Sequence, residues 1–191
     1  MPRKDNGPVE KIEDLSLSDR LSLINDRCQE HWYRLVGEMA KGKRVLDVGA
    51  GTGYGLDILK AAGCSPSGID LLPAGIGVAR LAIEDIASAA FDWVIAIDVI
   101  EHVEDDHYFL EDMEQAAINN VFFSTPNWNR SKVRSRWHVR EYTPHELQDL
   151  IAYRRHEFWS SDDDLVAKKL ETLEADSSFA NFGVLIHLDP F

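Results

Sequence analysis

Val45 to Gly55 reads VLDVGAGTGYG. An apolar strand, Arg44 to Val48, runs into Gly49, Gly51 and Gly53, and a helical stretch from Tyr54 to Ala62 follows. Glycines at alternate positions let backbone approach a ligand closely. In an open α/β sheet such a turn lies at the carboxyl end of the first strand, where ligands bind. A dinucleotide fingerprint would need its third glycine where Tyr54 stands, and a phosphate loop would need a Lys-Ser or Lys-Thr pair. Both nucleotide readings weaken. Asp47 can accept a hydrogen bond from a ligand ammonium group, and Asp70, ending the next strand in GID, can accept from both hydroxyls of a ribose.

Working outward, the alternation continues. Strands are expected at Pro66–Leu71, Val78–Ile83, Phe91–Ile97 and Asn120–Ser124, and helices at Asp106–Ala117 and, behind Thr143 as N-cap, Pro144–Ala152. Two last strands, Arg155–Ser160 and Phe182–Leu188, flank an expected charged helix, Leu165–Glu174, whose SSDDDL start suits a helix dipole. Upstream, apolar residues at spacings of three and four predict a helix over 16–40, and residues 1–14 read as a mobile tail before one domain over 15–191. Repeated βα units imply a mostly parallel sheet covered by helices on both faces.

Composition limits the partners. The 191 residues carry 20 Lys and Arg against 33 Asp and Glu, a net charge of −13, which disfavours nucleic acid and anionic lipid. Cys28 and Cys64 are too few for a metal quartet and are expected as reduced thiols in a cytoplasmic protein. The longest apolar run, Trp93 to Ile100, holds Asp98 and is far short of the roughly 20 residues that cross a bilayer.

Two further clusters carry chemistry. Asp98, Glu101 and His102 follow the fourth strand as D-x-x-E-H, and His138 comes later in WHVREYTPHEL, so loops at the strands' carboxyl ends should bring the four together. Two carboxylates and two imidazoles suit a divalent cation, with Mg or Mn favoured; without one, His102 or His138 is the general base. Arg130, Lys132, Arg134, Arg136 and Arg140 form a basic ribbon beside Trp128 and Trp137, and in extended conformation its cations would share one face. Arg134, Arg136, Trp137 and Arg140 are therefore expected to receive an anionic acceptor.

Taken in order, VLDVGAGTG, GID, FDWVIAIDVIEHVED and FFSTPN resemble class I S-adenosylmethionine-dependent methyltransferases over about Val45 to Leu147. The resemblance implies a Rossmann-like, seven-stranded, mostly parallel sheet with an antiparallel last hairpin. It implies S-adenosylmethionine bound by Asp47, Gly49, Gly51, Gly53, Asp70 and Asp98, with Asp85, or its rival Glu84, near the adenine amino group. Only twenty residues separate Asp70 from Phe91, so the helix before the third strand is expected to be shortened or lost. Ubiquinone-pathway O-methyltransferases carry E-x-x-E-H after this strand; small-RNA 3′-terminal 2′-O-methyltransferases carry E-x-x-E-H, T-P-N and H-x-x-E-[WY]-T. This chain is similar in Asp98, Glu101 and His102, in Thr125-Pro126-Asn127, and in His138-Val139-Arg140-Glu141-Tyr142-Thr143, with Asp98 in place of Glu.

The expected activity is methylation of an oxygen on a small hydroxyl-rich or anionic acceptor, with Glu101, His102 and His138 catalytic. One alternative is metal-dependent 2′-O-methylation of an RNA 3′ terminus. Another, of a different class, is a non-catalytic cofactor-binding or partner-binding module.

Overall fold

The computed structural model describes Ser16, Ser18 and residues 29–188. The expected tail lies outside the described residues, as do residues 17 and 19–28 of the expected helix 16–40, Cys28 among them.

What is described of that helix, α1 (Glu30–Met39), buries Trp32, Tyr33 and Val36. Then come β1 (Arg44–Val48), α2 (Tyr54–Ala61), β2 (Ser65–Asp70), β3 (Val78–Arg80), β4 (Phe91–Ile97), α3 (Asp106–Ala116), β5 (Ala117–Pro126), α4 (Trp128–Ser131), α5 (Pro144–Leu150), β6 (Arg155–Ser161), β7 (Lys168–Leu170) and β8 (Asn181–His187). They form one eight-stranded sheet in the order β3-β2-β1-β4-β5-β8-β6-β7. Strands β1 to β5 pair in parallel, whereas β8 runs antiparallel to both β5 and β6.

Strand periodicity divides the core. Leu46, Val48, Val94, Ala96, Val121 and Phe123 face one layer with Leu110, Met113 and Leu147 of α3 and α5. Their neighbours Val45, Trp93, Ile95 and Phe122 face the other, under Trp32, Val36 and Leu59 of α1 and α2. Thr143 caps α5 as expected: Glu146 Oε2 accepts from the Thr143 N–H at 2.9 Å, and Thr143 Oγ1 accepts from the Glu146 N–H at 3.3 Å.

Two expectations are corrected. The sheet has eight strands rather than seven, and the charged helix Leu165–Glu174 does not form. Its start is a turn, with the Leu165 N–H donating to the Asp162 carbonyl at 2.9 Å; Asp164 bonds the Val166 N–H and Lys168, while Asp163 pairs with Arg130 and the Asp162 carboxylate accepts from the Ala180 N–H. Lys168–Leu170 then adds as an edge strand to β6. Period two wins here because Lys169 reaches Glu157 at 2.7 Å while Leu170 packs on the core. The expected loss before the third strand holds: residues 71–77 contain no helix. Among the described residues, no helix is long and apolar enough to cross a membrane.

Candidate cofactor and acceptor site

At the carboxyl end of β1 the chain turns through Gly49, Gly51 and Gly53, all with positive φ (76°, 54° and 79°). The N–H groups of Gly49 and Ala50 both donate to the Ile69 carbonyl, at 2.9 and 3.0 Å, tying the turn to β2. Asp70 is half-buried beside it. Its Oδ2 accepts from the Gly51 N–H at 2.9 Å and its Oδ1 from the Leu72 N–H at 2.7 Å, so the carboxylate is held rigidly with lone pairs to spare. The loop after β2 closes down on this turn: the Ala74 N–H donates to the Gly51 carbonyl at 3.0 Å, and a Cβ at Gly75 would lie 1.8 Å from the Thr52 carbonyl oxygen. Gly75 lies outside the glycine motif, so the sequence gives it no special standing.

Asp47 is fully buried. Its Oδ2 accepts from the Tyr33 hydroxyl at 3.1 Å, while Oδ1 has no hydrogen-bond partner among the described residues. Burial pushes the carboxyl up to about 8, against the Tyr33 hydrogen bond that lowers it, and nearby Asp70 adds to the rise. A buried carboxylate oxygen without a partner fits a cationic ligand group. Asp85 is exposed, and its carboxylate accepts from the Ala82 N–H of its own turn at 3.4 Å; Glu84 is exposed as well.

The second part of the site is built on the turn Ile100–His102 and the segment leading to α5. A Cβ on Gly49 would lie 2.6 Å from Val99 Cγ2, so the glycine turn and the segment after β4 are in contact. The Glu101 carbonyl accepts from the N–H groups of Val139 and Arg140, at 2.8 and 3.3 Å, drawing the later segment across. Ligand atoms of Glu101, His102 and His138 consequently lie within 4.8 Å of one another.

Asp98 is not in this group. It adopts φ 53°, and its carboxylate binds Ser124 Oγ at 2.5 Å and Gln29 Nε2 at 3.1 Å. The expected convergence therefore holds for three of the four residues. The left-handed turn together with the Ser124 and Gln29 bonds accounts for the departure of the fourth.

Each of the three is held by a second group. Glu101 is buried and accepts from Thr125 Oγ1 at 3.1 Å; burial, with Asp98 next in effect, raises its pKa well above the usual range. His102 Nδ1 donates to the Trp137 carbonyl at 2.8 Å, since a carbonyl only accepts, and this leaves Nε2 as the acceptor nitrogen of the neutral ring. Burial, then His138, lowers the His102 pKa. His138 Nδ1 bonds Glu141 Oε1 at 2.8 Å. Burial alone would raise the Glu141 carboxyl, but bonds from His138, Ser131 and the Ser135 N–H outweigh it and the net shift is downward. Glu141 was not among the expected site residues; its place in H-V-R-E was the available signal.

The basic ribbon is not an extended face. Trp128–Ser131 is a short helix capped by Asn127, Lys132 takes φ 53°, and the chain then bends. Arg130 pairs with Asp163 at 2.8 Å. Arg140 bonds Asp106 Oδ2 at 2.6 Å and the Glu104 carbonyl, so it ties this loop to α3 rather than facing an acceptor. Arg134 bonds the His138 carbonyl, and Arg136 stacks over Trp137 at 4.5 Å.

Residues 22–163 match the protein family described as "Methyltransferase domain". A ubiquinone biosynthesis O-methyltransferase of Aromatoleum aromaticum is 36% identical over 107 residues, covering 46% of this chain and 46% of that protein. The one from Idiomarina loihiensis is 34% identical over 107 residues, covering 46% and 44%. The chain thus spans a little under half the length of these curated relatives. Among solved structures, a SAM-dependent methyltransferase of Thermotoga maritima superposes with a TM-score of 0.64 at 15% identity, covering 90% of this chain and 98% of that one. The small RNA methyltransferase HEN1 gives 0.61 at 17% identity, covering 98% of this chain and 27% of that one. At such identities the structural likeness is one of fold.

Proposed function

Since this chain belongs to the methyltransferase-domain family, we propose that it transfers the methyl group of S-adenosylmethionine to an oxygen of a small hydroxyl-rich or anionic acceptor. The observation that carries this reading is the meeting of Glu101, His102 and His138 in the segment that contacts the glycine turn. The cofactor's amino-acid end suits the partnerless Asp47 Oδ1, and its ribose suits Asp70 beside Gly51. The O-methyltransferase names of the relatives point to oxygen as the acceptor atom.

The two imidazoles supply what an acceptor hydroxyl needs. His102 and His138 each engage an acceptor through Nδ1, which leaves a lone pair on Nε2 of the neutral ring. In the metal-free form of the reaction that nitrogen would take the proton of the attacking hydroxyl, and bound S-adenosylmethionine would supply the methyl group, with its thioether as the leaving group. The same set fits a divalent cation held by Glu101, His102 and His138: their ligand atoms are close enough, and the outer bonds to Glu141 and to the Trp137 carbonyl resemble those that orient metal-binding histidines. Such a cation would lower the pKa of the acceptor hydroxyl. One carboxylate and two imidazoles suit a transition ion such as Mn better than Mg, which favours an all-oxygen shell.

A second reading, 2′-O-methylation of an RNA 3′ terminus, is favoured by T-P-N and H-V-R-E-Y-T lying together at this site; the net charge of −13 opposes it. Formation of S-adenosylhomocysteine with a catechol acceptor and with a short RNA, each in excess chelator and with Mn restored, tests both. Turnover with the catechol supports the first reading. Turnover with RNA alone replaces it, and full activity in chelator leaves the histidines as a metal-free base. Tighter binding of NAD than of S-adenosylmethionine would remove the cofactor assignment.

A further inference from the structure

Helix α1 enters the glycine-turn region through a side chain that the motif itself makes room for. Tyr33 is buried, its hydroxyl donates to Asp47 Oδ2 at 3.1 Å, and its ring meets Tyr54 edge-on with centroids 5.4 Å apart. Gly55 lies against that ring: a Cβ there would be 2.2 Å from Tyr33 Cε1. Gly55 stands in the first turn of α2, and its backbone does not take positive φ. The last glycine of VLDVGAGTGYG is therefore accounted for by the Tyr33 ring and not by the turn. From the same end of α1, Gln29 accepts from the Tyr54 hydroxyl at 3.0 Å and donates to Asp98 Oδ2 at 3.1 Å. One end of a helix thus touches the carboxylates that close the neighbouring strands β1 and β4.

Asp47 has one oxygen bonded and one without a partner among the described residues. A buried carboxylate with no donor is free to rotate, and a hydrogen bond to one of its oxygens restricts that rotation and favours ionisation. We propose that Tyr33 is a positioning residue that holds Asp47 by Oδ2 and presents Oδ1 to the ammonium group of the cofactor, with Gly55 supplying the space for its ring. This rests on the reading that the cofactor is S-adenosylmethionine. Tyr33 acts as a donor throughout, because burial and Asp47 both raise its own pKa and keep the hydroxyl protonated. The other ionisable groups that act on this pair are Tyr54 from α2, Asp70 from β2 and Asp98 from the end of β4.

The test compares two ligands that differ only at the amino-acid end. Tyr33→Phe keeps the ring in the Gly55 notch and removes the hydroxyl. Calorimetric titration should show S-adenosylhomocysteine binding weakened by about tenfold, and 5′-methylthioadenosine, which lacks the ammonium group, unchanged within about twofold. Asp47→Asn should give the same selective loss, and adding Tyr33→Phe to it should change little further. Equal loss of both ligands would make Tyr33 a packing residue, and unchanged S-adenosylhomocysteine affinity would make its hydroxyl irrelevant; either overturns the proposal. If Tyr33→Phe does not fold, a non-selective Asp47→Asn overturns it instead. A wild-type protein that binds neither ligand removes the cofactor reading itself, and this inference with it.

Discussion

The rings of His102 and His138 meet edge to face with centroids 4.8 Å apart, although one follows β4 and the other lies in the bent segment between α4 and α5. Their contact makes the two imidazoles a single unit, so replacing either should remove most of the activity. Glu101→Ala should be inactive yet bind cofactor with wild-type affinity, because Glu101 follows β4, whereas the carboxylates assigned to the cofactor, Asp47 and Asp70, belong to β1 and β2. Measured S-adenosylhomocysteine affinity together with turnover checks this, and loss of both would place Glu101 in the cofactor site.

Activity should fall as pH drops, later than for an ordinary histidine. Burial lowers the His102 pKa below 6.5, so the ring stays neutral to a lower pH before protonation blocks it as base or ligand. The folded state then binds fewer protons than the unfolded one, so the stability contributed by His102 is full above 6.5 and is lost as pH falls through that value towards the folded pKa. Denaturation followed from pH 8 downwards, with His102→Gln as reference, should show the variant losing less stability over that window.

Binding of cofactor should expel a proton near neutral pH. The Asp47 carboxyl, ordinarily at 3.8, is pushed up to about 8 by burial, so most of it is protonated at pH 7, and an ammonium group on Oδ1 favours the ionised form. Titrating S-adenosylhomocysteine in buffers of different ionisation enthalpy should show this release, and Asp47→Asn should abolish it. For the free protein the sign is that of a raised carboxyl pKa. Its stabilising contribution is full below 3.8 and is lost as pH rises through about 8.

Gly75→Ala should damage cofactor binding although Gly75 lies outside the glycine motif. Its Cβ would fall 1.8 Å from the Thr52 carbonyl oxygen, and neither backbone can yield without moving the loop off the turn. At Gly77 a Cβ would meet nothing within 4 Å, but φ is 87°, so Gly77→Ala should cost backbone strain alone, about 1 kcal/mol, with cofactor affinity kept. Thermal denaturation and calorimetry on the pair separate clash from strain.

Arg140→Ala should destabilise the fold and leave cofactor affinity unchanged. Arg140 bonds Asp106, which is buried and also accepts from the Tyr142 hydroxyl at 2.8 Å, so its loss leaves a buried carboxylate with one donor fewer. A cost of about 1 to 3 kcal/mol is expected in chemical denaturation. Weakened acceptor binding at unchanged stability would return Arg140 to the acceptor site.

What the sequence determined by itself was local or strictly periodic. Strand, glycine turn and helix are neighbours in the chain, so Arg44 to Ala61 and the placing of Asp47 and Asp70 follow from residues a few positions apart. The apolar runs of β4 and β5 admit only buried strands. The tertiary structure decided whatever depends on a partner distant in sequence. KKL became a strand because β6 offered an open edge and Glu157 a counter-charge, while a single-chain period over so few residues fits helix as well. The cations of the ribbon were spread by Asn127, which caps a helical turn, and by Asp163 and Asp106, which bind Arg130 and Arg140. Asp98 left the histidine cluster for Ser124 and Gln29, and Glu141 joined it through His138. Gly75 and Gly55 acquired their roles from Thr52 and Tyr33, whose positions only the packed chain defines, because close approach between segments leaves no trace in the order of residues.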